Sequence, residues 1–504
     1  MKHILLFGAG KSATCLIDYL VETIQQENWQ LTVVDGDRLL AESKTKNAPG
    51  TTVAVLNIEQ HIDERKKLVA AADIVISLLP PHLHQLIAMD CLEAGKHLLT
   101  ASYAGEAMQA LDAAVREKGL LFLCEMGLDP GIDHMSAMQL ISGIRAKGGK
   151  IHSFKSHCGG LVAPESDDNP WHYKISWNPR NVVLAGKAGA IFRKNGKTCE
   201  LPYELLFKEH EVVEIPGLDW LAWYANRDSL SYIPIYQLEE ADTFIRTTLR
   251  HPDFMYGWQN IQELKLTDET VRYETDGKTL NQFFTEYFEE NGFGDWLKEK
   301  LNERLNQTQE LLEHLTRLTE LEEQAEANDE QLPEEFMAVD EAGNLQELGL
   351  DNLKTDAAAI VAHRMHEVNL TLKQLFFLGI ADEEVQINKG KCSAADVLQF
   401  ILENKLKLQP EDKDMIVMMH EIDYTLPGDT NNHYVCSSLV VKGEDALRTA
   451  MAKTVGLPLG IAAKLVLKGV IQKTGVHIPV SSDIYEPVLK ELETFGIRFK
   501  ELER

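Results

Sequence analysis

A chain of 504 residues is too long for one typical domain, and 44 % hydrophobic with 25 % charged residues is the composition of a globular protein with two or three domains. Fifty Lys and Arg against 78 Asp and Glu leave a formal charge of −28, which argues against general affinity for nucleic acid or an anionic membrane, so an anionic substrate needs a local basic site. The seven cysteines are scattered with no C-x-x-C pair, and "MKHILLFGAGKSATCLIDYL" lacks a signal-type cleavage pattern, so a reducing, cytoplasmic location and no membrane association are expected.

Six short apolar runs, "HILLFGAG", "LTVVDGD", "TTVAVLNI", "ADIVISLLP", "KHLLTAS" and "GLLFLCEMG", alternate with helical patterns over the first 130 residues or so. Strands buried on both faces read as continuous Val/Ile/Leu runs, and helices between them imply a parallel sheet wound by right-handed crossovers. The first unit carries Gly8-x-Gly10-x-x-Ala13, with Lys11 and Ser12 inside it, placed after a strand and opening a helix. Gly8 permits the turn, Gly10 lets the backbone approach a pyrophosphate, and Ala13 allows close helix packing. The next strand ends in Asp35, followed by Gly36 and Asp37, where a carboxylate accepts hydrogen bonds from an adenine ribose and repels a 2′-phosphate. NAD is therefore favoured as cofactor, with NADP possible because Arg38 lies nearby in sequence. Residues 78–81 fall where such folds flank the nicotinamide-side ribose; His82 and His84 have no third ligand beside them, so no metal site is expected.

After the sixth run comes "GLDPGIDH", residues 127–134. Ligands of open α/β sheets bind beyond the carboxyl ends of the strands, so this turn faces the cofactor crevice. Pro130 fixes φ, Gly131 supplies flexibility, Asp133 is placed to cap the following helix, and Asp129 is left for a ligand. From 150 to 285 scattered aromatics, Pro and Gly suit a mixed α+β region; residues 295–327 read as a long solvated amphipathic helix, 328–336 as a loop, and "DAAAIVAHRMHEVNLTLKQLFFLGI" as helix again. "KDMIVMMHEIDYTL" and "HYVCSSLVVKG" alternate as hairpin strands do, and "DALRTAMAKTVGLPLGIAAKLVLKGVI" reads as helix returning to pack on the first domain.

"GLDPGIDH", "SHCGGLVAPESDDNPWHYKISWNPRN", "YANRDS", "IRTTLRH", "EDKDMIVMMHE" and "AMAKTVGLPLGIAAKLVLKGVI" together resemble the glutamate-forming saccharopine dehydrogenases, or saccharopine reductases, in order along nearly the whole chain. The resemblance implies a variant Rossmann, doubly wound parallel sheet with an inserted α+β substrate domain and a helical domain. The corresponding divisions are 1–132 plus about 443–480 for the dinucleotide, 133–285 plus about 415–442 for the substrate, and 286–414 for the helices. It implies an NAD(P)-dependent oxidoreductase of lysine metabolism acting on a CH–NH donor, which interconverts saccharopine with L-glutamate and 2-aminoadipate 6-semialdehyde through an imine. A homodimer and an amino-acid substrate are implied with it.

By the same resemblance the cofactor lies along Gly8, Gly10, Lys11, Ser12, Ala13, Asp35, Gly36, Asp37, Asn57, Ile58, Leu79, Leu128, Pro130 and Asn178. The substrate lies along Ala101, Ser102, Tyr103, Asp129, Arg227, Thr248, Leu249 and Arg250, with Thr100 and Ala101 departing slightly from the family's segment. Hydride leaves a carbon beside nitrogen only from the neutral amine, so a group must take the ammonium proton while arginine forks hold the carboxylates. Asp129, Tyr103 and Cys158 are the candidates for proton handling; His134 and His157 read as hydrogen-bonded structural residues. Asp35 departs from the basic residue expected in NADP-using relatives. Two alternatives share parts of the pattern. A carboxyspermidine-type dehydrogenase would want acids where "NRDS" and "TTLRH" supply arginine, and a dinucleotide-sensing protein without turnover would not need the proton-handling set.

Overall fold

The expected strands form as β1 (His3–Phe7), β2 (Gln30–Asp35), β3 (Thr51–Val55), β4 (Ile74–Ser77), β5 (His97–Thr100) and β6 (Leu121–Leu123). The computed structural model describes residues 1–208, 210–327, 335–339, 345–429 and 431–503. All six strands are parallel, in the spatial order β3-β2-β1-β4-β5-β6, and the chain returns with Gly475–His477 as a seventh strand beside β6. Because successive side chains of a strand point to opposite faces, Ile4 and Leu6 of β1 enter one apolar cluster while Leu5 and Phe7 enter the other. Helices α1 (Thr14–Glu27), α2 (Arg38–Thr45), α3 (Ile62–Ala71) and α4 (His84–Ala94) supply the covering layers. The order reverses between β1 and β4, which opens a crevice at their carboxyl ends.

The apolar segment near the C-terminus forms the helix Ala450–Leu467 and packs on α1, where a Cβ at Gly456 would lie 3.0 Å from Leu16 Cβ. By length and composition this helix could cross a membrane, but most of it is buried in the protein. A second, mixed sheet runs Glu211–Glu214, Trp220–Ala225, Thr243–Arg250, β7 (Lys150–Val162), Asp414–Thr425, His433–Lys442, Lys500–Glu503. Thr243–Arg250 is parallel to β7, the expected hairpin of Asp414–Thr425 with His433–Lys442 is antiparallel, and Ala190–Lys194, Lys197–Leu201 and Arg227–Asp228 join at the side. Sequence patterning gave no place to the last strand, whose four residues are all exposed and pair only with the edge of His433–Lys442. The helix Ile132–Ala146 leads from β6 to β7, and Tyr485 of Ser482–Leu492 donates to Ser142 on it at 3.2 Å.

These two sheets form one compact unit, Met1–Met255 with Leu406–Arg504; Tyr256–Lys405 form another. In the second unit a capping box of Thr279 and Gln282 starts the helix Leu280–Asn291. The long amphipathic helix forms as Trp296–Ala327 and packs with Leu350–Leu378 through Arg304–Glu367 at 3.3 Å and Arg364 Nη1 to Gln307 O at 2.8 Å. Of the loop expected over 328–336, residues 328–334 lie outside the described residues, and Glu335 and Phe336 begin a strand, Glu335–Val339, paired with Leu345–Gly349.

Candidate active site

At the carboxyl end of β1, Gly8 has φ +98°, and a Cβ there would come 2.8 Å from the Leu78 carbonyl oxygen, so glycine is required. Nothing lies within 4 Å of a Cβ built on Gly10, which leaves that side of the loop open. The helix expected to begin at Lys11 is preceded by a 3-10 turn, Lys11–Ala13, with Ala13 buried and Ser12 half-buried. Behind the loop Lys44 donates to Gly10 O at 2.5 Å, and burial lowers the pKa of this amine to about 8. Asp35 accepts from Ala9 N at 2.7 Å and from Asp37 N at 2.9 Å, so it braces the glycine loop while each oxygen keeps a lone pair for a ribose hydroxyl. Gly36 and Asp37 are exposed, Asp37 capping α2 through Leu40 N at 3.1 Å, and Arg38 pairs with Glu42 at 3.2 Å. Asn57 folds its own loop by accepting from Glu59 N and Gln60 N, Ile58 is buried, and Leu79 is half-buried just past β4. A left-handed glycine, an open backbone face and a strand-end carboxylate on neighbouring strands fit a dinucleotide, which Gly8, Gly10 and Asp35 would hold.

The turn after β6 is closed by Gly127 N to Pro130 O at 3.0 Å and Ile132 N to Gly127 O at 3.0 Å, and its Asp129–Pro130 peptide is cis. Gly131 has φ +149°, and any Cβ there would collide with the Gly127 backbone. Asp133 is not the helix cap: Gly131 occupies the cap position, and Asp133, in the first turn of Ile132–Ala146, takes the Gly131 N–H at 2.5 Å. Its other oxygen meets Arg246 Nη2 at 2.9 Å, and the same nitrogen reaches Asp129 at 2.6 Å. Arg246 is 3 % exposed and stacks 4.4 Å from the Tyr232 ring centroid. One guanidinium thus serves two carboxylates, and the shortfall falls on the one with fewer donors. Burial, against the pull of Arg246, raises the Asp129 pKa to about 6, with Asp133 adding repulsion. Burial also acts to raise Asp133, but His134, Arg246 and backbone N–H groups outweigh it and hold it below its ordinary value.

Around Asp129 the structure gathers most of the expected substrate residues. Ala101 lies against the turn, 3.1 Å from a Cβ built on Gly127, and Glu125 N donates to Ser102 O at 3.0 Å. Tyr103 and Cys158 are both pushed up, first by burial and then by Asp129, so phenol and thiol stay protonated. The Arg227 guanidinium lies 5.4 Å from the Tyr103 ring centroid, and Arg227 itself has φ +50°, an uncommon backbone state for a non-glycine residue. Arg246, Thr248 and Arg250 share one face of their strand by its two-residue period, and Thr248 is paired with Cys158 of β7. Leu249 points the other way and is fully buried, leaving its carbonyl to Arg250 Nη1 at 2.9 Å. Arg250 is boxed by Tyr173 and Phe254, with ring centroids at 5.2 and 5.4 Å, and its buried Nε has no hydrogen-bond partner. Such a donor is costly to leave unmet, and a carboxylate would meet it. Leu128 and Pro130 are buried beside Asp129. Asn178 is exposed and caps Pro179–Val183 through Arg180 N at 2.9 Å, and among the described residues no hydrogen bond joins it to the cluster.

Both histidines read as structural are fully engaged. His134 bonds Tyr236 OH at 2.6 Å and Glu125 at 2.7 Å, and His157 bonds Thr247 at 2.7 Å and Glu421 at 2.9 Å. Sequence reasoning missed Arg246, Glu125, Glu421 and His84. His84, which burial brings to a pKa of about 4 and so keeps neutral, links Ser77 at the end of β4 (2.8 Å) to Ser102 (2.7 Å).

A parallel sheet in this strand order, with a glycine loop and a strand-end acid at its open edge, defines a nicotinamide dinucleotide-binding α/β protein, here with a carboxylate–arginine cluster on an adjoining sheet. Residues 4–123 match the profile described as the saccharopine dehydrogenase NADP binding domain, and residues 127–497 the one described as the saccharopine dehydrogenase C-terminal domain. The chain belongs to the saccharopine dehydrogenase family. It is 30 % identical to the NADP(+), L-glutamate-forming saccharopine dehydrogenase of Pyricularia oryzae, over 99 % of this chain and 98 % of that one. It is also 30 % identical to the alpha-aminoadipic semialdehyde synthase of Arabidopsis thaliana, over 99 % of this chain and 44 % of that one, so it spans about half the length of such relatives. In three dimensions it is similar to apo saccharopine dehydrogenase (L-Glu forming) from Saccharomyces cerevisiae, with TM-score 0.77, 27 % identity and 100 % of both chains covered.

Proposed function

We propose that this chain catalyses the reversible oxidation of saccharopine, with a nicotinamide dinucleotide and water, to L-glutamate, 2-aminoadipate 6-semialdehyde, reduced cofactor and a proton. The observation that carries the reading is Asp129: a carboxylate with its pKa raised to about 6, set among Arg227, Arg246 and Arg250. It is a base for an amine inside a cluster that attracts carboxylates, and saccharopine is a secondary amine bearing three of them. Arg250, with its unpartnered Nε, holds one substrate carboxylate, and Arg227, which makes no ion pair among the described residues, holds another. Asp129 takes the proton from the substrate ammonium, and Arg246 keeps its carboxylate in place. Tyr103 donates a hydrogen bond at the reacting nitrogen and the neutral Cys158 thiol lines the cluster. A dinucleotide held along Gly8, Gly10 and Asp35 would supply the hydride acceptor for the carbon beside nitrogen on the lysine side. Water then adds to the imine, and Asp129, now protonated, returns its proton to the departing glutamate nitrogen. A polyamine would be repelled by the same three arginines.

Residues 1–132 with about 443–480 hold the dinucleotide in this reading, and the mixed sheet holds the substrate. NAD is the proposed cofactor. The family description and the fungal relative's name carry NADP; the NAD reading rests on Asp35, whose carboxylate at the end of β2 would repel a 2′-phosphate, and on the pairing of Arg38 with Glu42. The test is purified protein with saccharopine and either cofactor, following cofactor reduction and glutamate release together. Equal molar appearance of both, faster with NAD, is expected; a protein that binds a dinucleotide but releases no glutamate from saccharopine contradicts the proposal.

A further inference from the structure

Beside the cage of Arg250, the described residues bring together two imidazoles and a carboxylate from separate segments. His172, His251 and Asp253 each offer a ligand atom, all within 4.8 Å of one another. We propose that His172, His251 and Asp253 form a binding site for a divalent transition cation of the zinc class, distinct from the reaction cluster.

Four features build the site. First, the donor set, two histidines and one aspartate, is the mixed nitrogen and oxygen set that zinc-class ions take. Second, the spacing is close to that of two ligands on one ion: His172 Nε2 lies 3.3 Å from Asp253 Oδ2, and the rings of His172 and His251 stack at 3.9 Å between centroids. Third, the other nitrogen of His172 is held by Asp167 at 2.6 Å, and a carboxylate on the far ring nitrogen is what orients a metal-binding histidine and raises its basicity. Fourth, the carboxylates of Asp167 and Asp253 both contact the His172 ring, and a divalent ion is the charge that such a pair of acids attracts. His251 Nδ1 takes the Asp253 N–H at 3.2 Å, a long bond that a cation at that nitrogen replaces. The His172 and Asp253 side chains are 30 % and 17 % exposed, so an ion can enter from solvent.

The two segments involved are the ones that box Arg250. His172 immediately precedes Tyr173, and His251 and Asp253 lie between Arg250 and Phe254. A bound ion ties them together, so the site is a staple on the cage of the substrate-binding arginine.

The test uses the untagged full chain titrated with Co(II), read by visible absorption and by calorimetry. One ion per chain is expected, with ligand-field bands of a nitrogen and oxygen site and no thiolate charge-transfer band. His172→Ala and His251→Ala should each abolish the bands, and Asp167→Asn should weaken affinity about 10–100-fold, the cost usual for losing an orienting carboxylate. Wild-type protein that shows no saturable binding, bands that persist in both histidine variants, or a thiolate band placing the ion on cysteine would each overturn the proposal. Asp253→Asn, which changes one oxygen and no volume, repeats the test if a histidine variant melts early.

Discussion

Replacing Arg246 by lysine perturbs the group that organises the cluster. One nitrogen of Arg246 reaches Asp129 at 2.6 Å and Asp133 at 2.9 Å. Lysine keeps the charge but loses the planar group that stacks on Tyr232 and ends in an ammonium on a flexible stem, so the nitrogen is no longer fixed between the two carboxylates. Asp133 has the Gly131 N–H besides, so Asp129 bears the loss. A lost hydrogen bond to a charged group is worth about 1.5–3 kcal/mol, which at about 1.4 kcal/mol per unit raises the Asp129 pKa by about 1–2 units. The assay is the pH profile of kcat/KM for saccharopine in the oxidative direction. Asp129 accepts a proton only when ionised, so the rate rises with pH through its pKa, at about 6 in the wild-type enzyme. In Arg246→Lys the same limb should lie higher by the amount above, while the limb due to the substrate amine stays where it was. An acid limb that does not move, in a variant folded by circular dichroism, would refute the link between Asp129 and the titrating group.

Arg250→Lys removes the caged fork, and kcat/KM for saccharopine should fall about 10–100-fold with the cofactor KM unchanged, as steady-state kinetics will report. Asp35→Ser removes the charge that faces a 2′-phosphate, so the ratio of kcat/KM for NADP over NAD should rise by about tenfold, equivalent to about 1.4 kcal/mol of relieved repulsion. Glu421 is held at about 2 despite its burial, because His157 and Tyr434 bond its carboxylate. A depressed carboxylate stabilises the fold above its unfolded pKa, and that contribution is lost as pH falls through the folded value. Glu421→Gln should therefore cost roughly 3 kcal/mol at pH 7, with the gap to wild type closing between about pH 4 and 2 in urea unfolding.

Local patterns made the parallel sheet legible. Five of the six apolar runs become strands buried on both faces, with β3 at the sheet edge staying partly exposed, and the glycine loop needs Gly8 because Leu78 leaves no room for a Cβ. Asp129 was legible too, since the turn after the last strand of such a set faces the crevice. Arg246 was not, although it lies inside the quoted "IRTTLRH". Its partners are more than a hundred residues away, and only the two-residue period of a strand, which groups it with Thr248 and Arg250, could have signalled it. Asp133 looked like a cap because caps are what an acid near a helix start usually supplies; its burial at 1 % exposure and its pairing with Arg246 are tertiary facts. The strand Lys500–Glu503 has no apolar alternation, so its docking onto the mixed sheet rests on backbone pairing that side-chain pattern does not encode.

The reaction proposed here requires that hydride leave the carbon on the lysine side of the saccharopine nitrogen, with Asp129 beside that nitrogen. Saccharopine carrying deuterium only at that carbon, incubated with the enzyme and oxidised cofactor, tests this directly by mass spectrometry of the products. Deuterium in the reduced cofactor, with one deuterium kept in the semialdehyde and unlabelled glutamate released, is the predicted result. Unlabelled reduced cofactor, with both deuterium atoms retained in free lysine, would place the oxidation on the glutamate side and contradict the account.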